Sequence, residues 1–436
     1  METQEKKSDN NNDCRAVSSF LLNQFVKPNG AFYEFNQFVK EHLDKLVVCF
    51  RGNETPNQIT IYRNNHMVWK LYLTSDDQNG EPRVEVSFNH ARYYKDWNEL
   101  LITFGSLGFN IVDKNGSQLV PSVKGKGVGI GTIVASLPAD VSKFDKDEFV
   151  KPCYDAVMKM MDSFFDIAFD SSKVTDWFRT YLNKDKKEYH LSKQNPKRSY
   201  IEKRWQQHLF NELKYAEDGL FVYDLEFSQP SGVINSDDDE ISEEDESNAN
   251  EPDMLAVRYE GGMPVAIVLV EVKSTYDACG SGNSNIKSHF KGMNEYCKNS
   301  VLVKNRHIEA CKILEQYKDA GIYVKEGQIL PDINNQLPIE IVFIFTSNEP
   351  VDCMESVKHK SDYIPYDCSK SAIYYLLTHR NEKGIKSNAL KIEDLIDQEA
   401  NVPCSLYYSG EYEAPNINEY SKKEKLISYA IPSNWK

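Results

Sequence analysis

The sequence predicts an α+β domain over residues 1–145 and an α/β domain over 200–436, joined by a helical and basic connector at 146–199. Three observations lead there. Between Ile59 and Phe88, short β-like segments are broken by turn residues. From Tyr200 onward, helical and strand patterns alternate, which is the mark of an α/β arrangement. The length of 436 residues suits two or three domains, and 40% hydrophobic with 27% charged residues is enough for packed cores. That composition excludes a fully disordered or collagen-like chain.

Met1 to Asn12 is polar and reads as a disordered tail. It lacks the apolar stretch of a signal peptide, so a cytoplasmic protein is expected. Ser18 to Leu46 carries a helical mixture of Phe, Leu and Val. Ile59–Tyr62 and Met67–Leu73 flank a hairpin turn at Arg63-Asn64-Asn65-His66. Asn79-Gly80 is a strong turn signal, and Val84 to Phe88 then alternates with period two. Trp97 to Phe104 fits either a helix or a strand. Lys124 to Gly131 reads KGKGVGIG, with neither P-loop nor dinucleotide-binding spacing, so a mobile loop is expected there rather than a phosphate site. Asp145 to Phe169 reads as a helix whose Val157, Met160, Met161, Phe164, Phe165 and Ala168 face a core. After Tyr200 come a helix, the strand Phe221–Phe227, an acidic insert, a hairpin, further helices and the strand Ile339–Thr346.

Charge is segregated. The net charge is −15, which by itself disfavours nucleic acid as a partner. Nine acids and no base lie within 237–251, a composition that predicts a disordered loop. Conversely, Arg179 to Arg204 holds nine Lys/Arg against three acids, with Tyr189, His190 and Tyr200 interleaved. Such a stretch suits phosphate contacts that position nucleic acid without reading its sequence, and it suits an ordinary solvated linker as well. The nine cysteines include no C-x-x-C pair, so reduced, structural thiols are expected rather than a zinc cage. The longest aliphatic run, Val265 to Val270, is six residues, far short of a membrane span.

The chemistry concentrates between Pro252 and Lys273. Asp253 starts a strand, Gly261-Gly262 lies in a turn, and an almost continuously apolar second strand ends in Glu271-Val272-Lys273. Period two puts Glu271 and Lys273 on one face and Val272 on the other. Two charges at the end of a buried strand are costly unless they pair or bind something. A structural ion pair is one solution. The other is a metal site, since Asp and Glu supply the hard oxygens that Mg²⁺ takes.

At these residues the sequence resembles the PD-(D/E)XK nuclease superfamily, over about 200–350. Pro252-Asp253 matches the PD element and Glu271-Val272-Lys273 the (D/E)XK element. The resemblance implies a restriction-endonuclease-like C-terminal domain, a mixed central sheet flanked by helices with a metal at one edge. It implies Asp253 and Glu271 as ligands of Mg²⁺, with Mn²⁺ as a substitute, the Val272 carbonyl as a further ligand, and Lys273 as the catalytic lysine. A further glutamate often stands on the preceding helix. Glu202 fits, bordering the stripe Ile201, Trp205, Leu209 and Leu213, with Glu212 and Glu226 as alternatives. The implied activity is a metal-dependent nuclease, an endonuclease with DNA favoured over RNA, in the setting of restriction or antiviral defence. The rival expectation is a non-catalytic nucleic-acid-binding or assembly protein that keeps the fold. Lys197, Arg198, Lys203, Arg204, Lys287 and Lys291 are the expected nucleic-acid contacts. Ile286, Phe290, Met293 and Cys297 face the core of the following helix, and His289 is expected to pack or hydrogen-bond rather than act as a base. No membrane partner is expected. Residues 1–180 resemble no family, and they are the expected surface for a homo-oligomer or a partner protein.

Overall fold

The computed structural model describes residues 15–52, 56–63, 66–77, 79–87, 97–112, 134–136, 144–165, 206–207, 209–211, 213, 219–225, 252–273, 286–347 and 400–410. The chain is a mixed helix-and-sheet protein of α+β class, and one of its two sheets is mixed. The tail, the glycine-rich segment, the basic stretch and the acidic insert lie outside the described residues.

The first half builds an antiparallel sheet. Its strands are β1 (Val47–Arg51), β2 (Gln58–Arg63), β3 (His66–Leu73), β4 (Pro82–Ser87), β5 (Asn110–Val112) and β6 (Val134–Ser136), in the spatial order β1-β2-β3-β4-β6-β5. Arg63 pairs directly with His66, within the expected hairpin, and residues 64–65 lie outside the described residues. The ambiguous segment is a helix, α3 (Trp97–Ser106), which follows α1 (Ser19–Val26) and α2 (Tyr33–Glu41) along the chain. The expected helix from Asp145 divides. Asp145 accepts from the amides of Asp147 and Glu148, a wide turn spans Lys146–Val150, and α4 runs over Lys151–Phe165. Pro152, which has no N–H to give, falls in the first turn of α4, where none is needed. Residues 166–169 lie outside the described set.

Trp69 on β3 anchors this half. It is fully buried, its ring meets Phe35 edge-on at 5.0 Å, and its indole N–H donates to Cys153 Sγ on α4 at 3.0 Å. An indole N–H is tolerated in a core only with such a partner.

The second half builds a five-stranded sheet in the order β11-β10-β9-β8-β7. Its strands are β7 (Gly219–Leu225), β8 (Met254–Glu260), β9 (Met263–Lys273), β10 (Ile339–Ser347) and β11 (Cys404–Gly410). β7, β8 and β9 are antiparallel neighbours, whereas β10 and β11 run parallel to β9. The β8–β9 hairpin turns at Gly261-Gly262, both with positive φ (57° and 77°), the conformation a two-residue primed turn demands and glycine supplies without a clash. The parallel step to β10 requires a crossover, made here by α5 (Ile286–Lys298) and α6 (Ser300–Ala320). Asn299 caps α6 by accepting from Val301 and Leu302, and Gly321 ends it in the left-handed conformation.

The two halves share one continuous apolar core. Tyr317 on α6 stacks on Phe50 at 4.8 Å, and its hydroxyl lies 2.9 Å from the carbonyls of both Val48 and Tyr223. The seam is closed by charge. Asp224 on β7 is fully buried, bonded to Arg15 at 2.7 Å and to Arg51 at the end of β1. Arg51 also donates to the Leu225 carbonyl, and the Arg15 amide donates to Glu309 on α6 at 3.0 Å. Burial pushes the Asp224 carboxyl up, but the attraction of Arg51 and then Arg15 outweighs it and leaves the carboxyl below its ordinary value of 3.8.

A depressed carboxylate contributes stability that is complete above its unfolded value and is lost as pH falls through its folded value. We therefore expect part of the seam's stability to disappear below pH 3.8, and Asp224→Asn to remove that acid-dependent component in urea unfolding followed against pH. At neutral pH, Asp224→Ala leaves Arg15 and Arg51 buried without their carboxylate and should cost about 3–5 kcal/mol.

Candidate functional site

The site grows from the end of β9. This strand is flanked on both sides, by β8 and β10, and from Ala266 to Lys273 it is buried throughout. An apolar run suits that position until Glu271 and Lys273 arrive, 1% and 4% exposed. Their shared face lets the pair meet, and Lys273 Nζ contacts Glu271 Oε1. The same face is covered by α5, where His289 Nδ1 lies 3.0 Å from Glu271 Oε1, within Coulombic reach but off the line of a hydrogen bond. Glu271 Oε2 is buried and has no hydrogen-bond partner among the described residues.

Asp253 stands one residue before the Met254–Val270 pair, across from Glu271. Its Oδ2 accepts the Val272 amide at 2.7 Å, and its Oδ1 accepts Gln206 Nε2 at 2.7 Å. Within a strand, a residue's N–H and C=O point to the same edge. The bond from Val272 N–H to Asp253 therefore puts the Val272 carbonyl on the Asp253 side of β9. Gln206 comes from a helical segment that includes Leu209 and Phe210 and is packed into the core.

The electrostatics favour the charged forms. Burial raises the Glu271 carboxyl, yet the Lys273 ammonium, followed by His289, holds it below its ordinary value. The Glu271 carboxylate is thus favoured in its charged form in a nearly dry place. The described residues do not draw together three or more His, Cys, Asp or Glu side chains into a metal-holding group. Mg²⁺ does not require that. It usually binds through one or two carboxylates and keeps several waters. Two carboxylates on adjacent strands, one with a buried oxygen unpaired among the described residues, fit such an ion.

The structure brings together four of the residues singled out in the sequence: Asp253, Glu271, Val272 and Lys273. Glu202, Glu212 and Glu226 lie outside the described residues, as do Lys197, Arg198, Lys203 and Arg204. Lys287 lies on α5 with its side chain outside the described set, and Lys291 is exposed on the same helix. Ile286, Phe290 and Met293 are buried, and Cys297 is half-buried. His289 packs on Glu271, in keeping with a packing or polar role. Gln206 was missed. The signal for it was its place four residues after Glu202, the spacing that puts two residues on one face of the expected helix. The cysteines at 49, 153, 297, 311 and 404 are free. Burial pushes the thiols of Cys49, Cys153 and Cys297 up to about 12 and that of Cys311 up to about 11, so they are protonated at neutral pH and are poor nucleophiles. Among the described residues no helix is long and apolar enough to cross a membrane.

Compared with family models, curated proteins and solved structures, the chain matches none.

The Glu271–Lys273 pair can be weighed directly. Lys273→Met leaves a carboxylate buried beside His289 and should lower stability in EDTA by about 3 kcal/mol, the order expected when one partner of a buried pair is removed. Adding Glu271→Gln should recover most of that loss, giving a coupling energy of about 1–3 kcal/mol in a double-mutant cycle of urea unfolding. Additive effects would mean that the two side chains do not pair.

Proposed function

We propose that the protein is a metal-dependent nuclease of PD-(D/E)XK type that hydrolyses phosphodiester bonds, with a restriction-endonuclease-like second half. One observation carries this reading. The two elements of the motif, 18 residues apart from Asp253 to Glu271 in the chain, meet at the end of a buried central strand, where Asp253 accepts the Val272 amide at 2.7 Å. The mixed sheet and the helices of its crossover support the reading at the level of architecture.

Asp253 and Glu271 would hold Mg²⁺ with the Val272 carbonyl as a third oxygen, and the ion would supply a more acidic water and neutralise phosphate charge. Lys273, which contacts Glu271 Oε1 at the strand end, would orient the attacking water and stabilise the negative charge that develops on phosphorus-bound oxygens. Asp253 is held in one rotamer by two hydrogen bonds from the backbone and Gln206, which keeps its oxygens in place before substrate arrives. Burial of the site strengthens each of these charge interactions. DNA is the favoured substrate, and restriction or antiviral defence is the favoured setting. The basic stretch of 179–204 would carry the phosphate backbone.

A second reading draws on the same ion pair. Lys273 already satisfies one oxygen of Glu271, as it would in a non-catalytic nucleic-acid-binding or assembly protein that keeps the fold. The two readings separate by Mg²⁺-dependent nicking of plasmid DNA compared with gel-shift binding in EDTA. We expect nicking by the wild type and a loss of at least 100-fold in Asp253→Asn, Glu271→Gln and Lys273→Ala, each checked for folding by circular dichroism; charge-stabilising groups in active sites typically contribute about 10²–10³. Binding without any nicking, or equal nicking by wild type and Lys273→Ala, would reject the catalytic reading.

The nucleic-acid path has its own test. Reversing Lys197, Arg198, Lys203 and Arg204 should weaken DNA binding uniformly across sequences. The slope of log affinity against log salt should fall by about 1 for each phosphate that is no longer neutralised. An unchanged slope would leave these residues as solvated surface.

A further inference from the structure

Gln206 carries an inference that rests on the metal site just proposed and goes beyond it. Asp253, when ionised, only accepts hydrogen bonds, so the Gln206 side chain must turn its amide nitrogen toward Asp253 Oδ1, 2.7 Å away. The orientation of the amide is therefore settled by chemistry, and Oε1 must face away from that bond. This oxygen is buried in a residue only 3% exposed and has no hydrogen-bond partner among the described residues. Across the strand pair from Asp253, Glu271 Oε2 is in the same condition, buried and without a partner among those residues. A buried acceptor left without a donor pays its full desolvation cost, and here one such acceptor belongs to Glu271 and the other to the residue that bonds Asp253.

A ligand that relieves both must bring positive charge for the carboxylates and donors for the amide oxygen. A lone ammonium donates but adds a second monovalent cation beside Lys273, which already contacts Glu271. A hydrated divalent cation does both, because the ion takes carboxylate oxygens directly and its polarised waters donate. We propose that Gln206 is a positioning residue of the metal centre: its amide nitrogen fixes the Asp253 carboxylate, and its Oε1 accepts from a water on the bound ion. Gln207 next to it offers a comparison. It is as deeply buried, but its amide nitrogen donates to the Lys45 carbonyl at 3.3 Å, in the first half of the chain.

The test is Mn²⁺ affinity, measured by electron paramagnetic resonance and calorimetry on the full chain without nucleic acid. Gln206→Met keeps the length and apolar stem and removes both polar atoms. It should weaken Mn²⁺ binding about 10- to 100-fold, the usual effect of losing such an outer partner, whereas Gln207→Met should bind Mn²⁺ as the wild type does. Should Gln206→Met fail to fold, Mn²⁺ broadening of the Gln206 side-chain amide resonance in the unaltered chain takes its place, and an unbroadened signal overturns the assignment. Equal Mn²⁺ affinity in wild type and Gln206→Met overturns this inference alone and leaves the nuclease reading intact. Gln206-dependent Mn²⁺ binding by a protein that cleaves no nucleic acid supports the inference and sinks the nuclease reading. A wild type that binds no Mn²⁺ overturns both.

Discussion

The fold turns on a carboxylate that cannot reach water. Asp224 is buried at the seam between the two sheets, and its two partners come from separate elements of the first half, Arg15 before α1 and Arg51 at the end of β1. Charge in a low-dielectric interior is tolerated only when geometry and hydrogen bonding are good, and that need makes the seam selective. Arg51 at the end of β1 reaches both the Asp224 carboxylate and the Leu225 carbonyl of β7. β7 then sets β8 by antiparallel pairing, and β8 sets β9. The position of the candidate site is thus inherited, strand by strand, from an ion cluster that takes no part in its chemistry.

The site repeats the same physics at smaller scale. Glu271 and Lys273 are nearly as buried as Asp224, and Lys273 beside Glu271 holds its carboxyl below the ordinary value. The difference lies in what is left over. Both Asp224 oxygens are occupied by guanidinium groups, whereas Glu271 Oε2 and Gln206 Oε1 have no partner among the described residues.

His289 and Gln206 belong to the helical segments on either side of the hairpin in the chain, one after it and one before it, and each meets one of the two carboxylates. The helices do more than cover the sheet. They bring polar groups to a strand end that the backbone ladder no longer serves, and so restrain side chains whose exact placement decides whether a metal site forms.

Local features were legible from the chain. The β8–β9 hairpin follows from Gly261-Gly262 between an alternating segment and an apolar one. The shared face of Glu271 and Lys273 follows from period two, and the core face of α5 from Ile286, Phe290 and Met293. Each depends on neighbours within a few residues, where backbone geometry leaves few choices. β1, β5, β6 and β11 were not foreseen, since a short buried or edge strand carries little periodicity and is made by the strand it pairs with. Arg15 and Arg51 on Asp224, and Gln206 on Asp253, were decided only by the tertiary structure. These bonds join residues 209, 173 and 47 positions apart, and no local preference of Arg or Gln distinguishes a solvated side chain from one drawn into a buried carboxylate. Sequence alone could place the charges on a strand; burial on every side determined which partners they had to find.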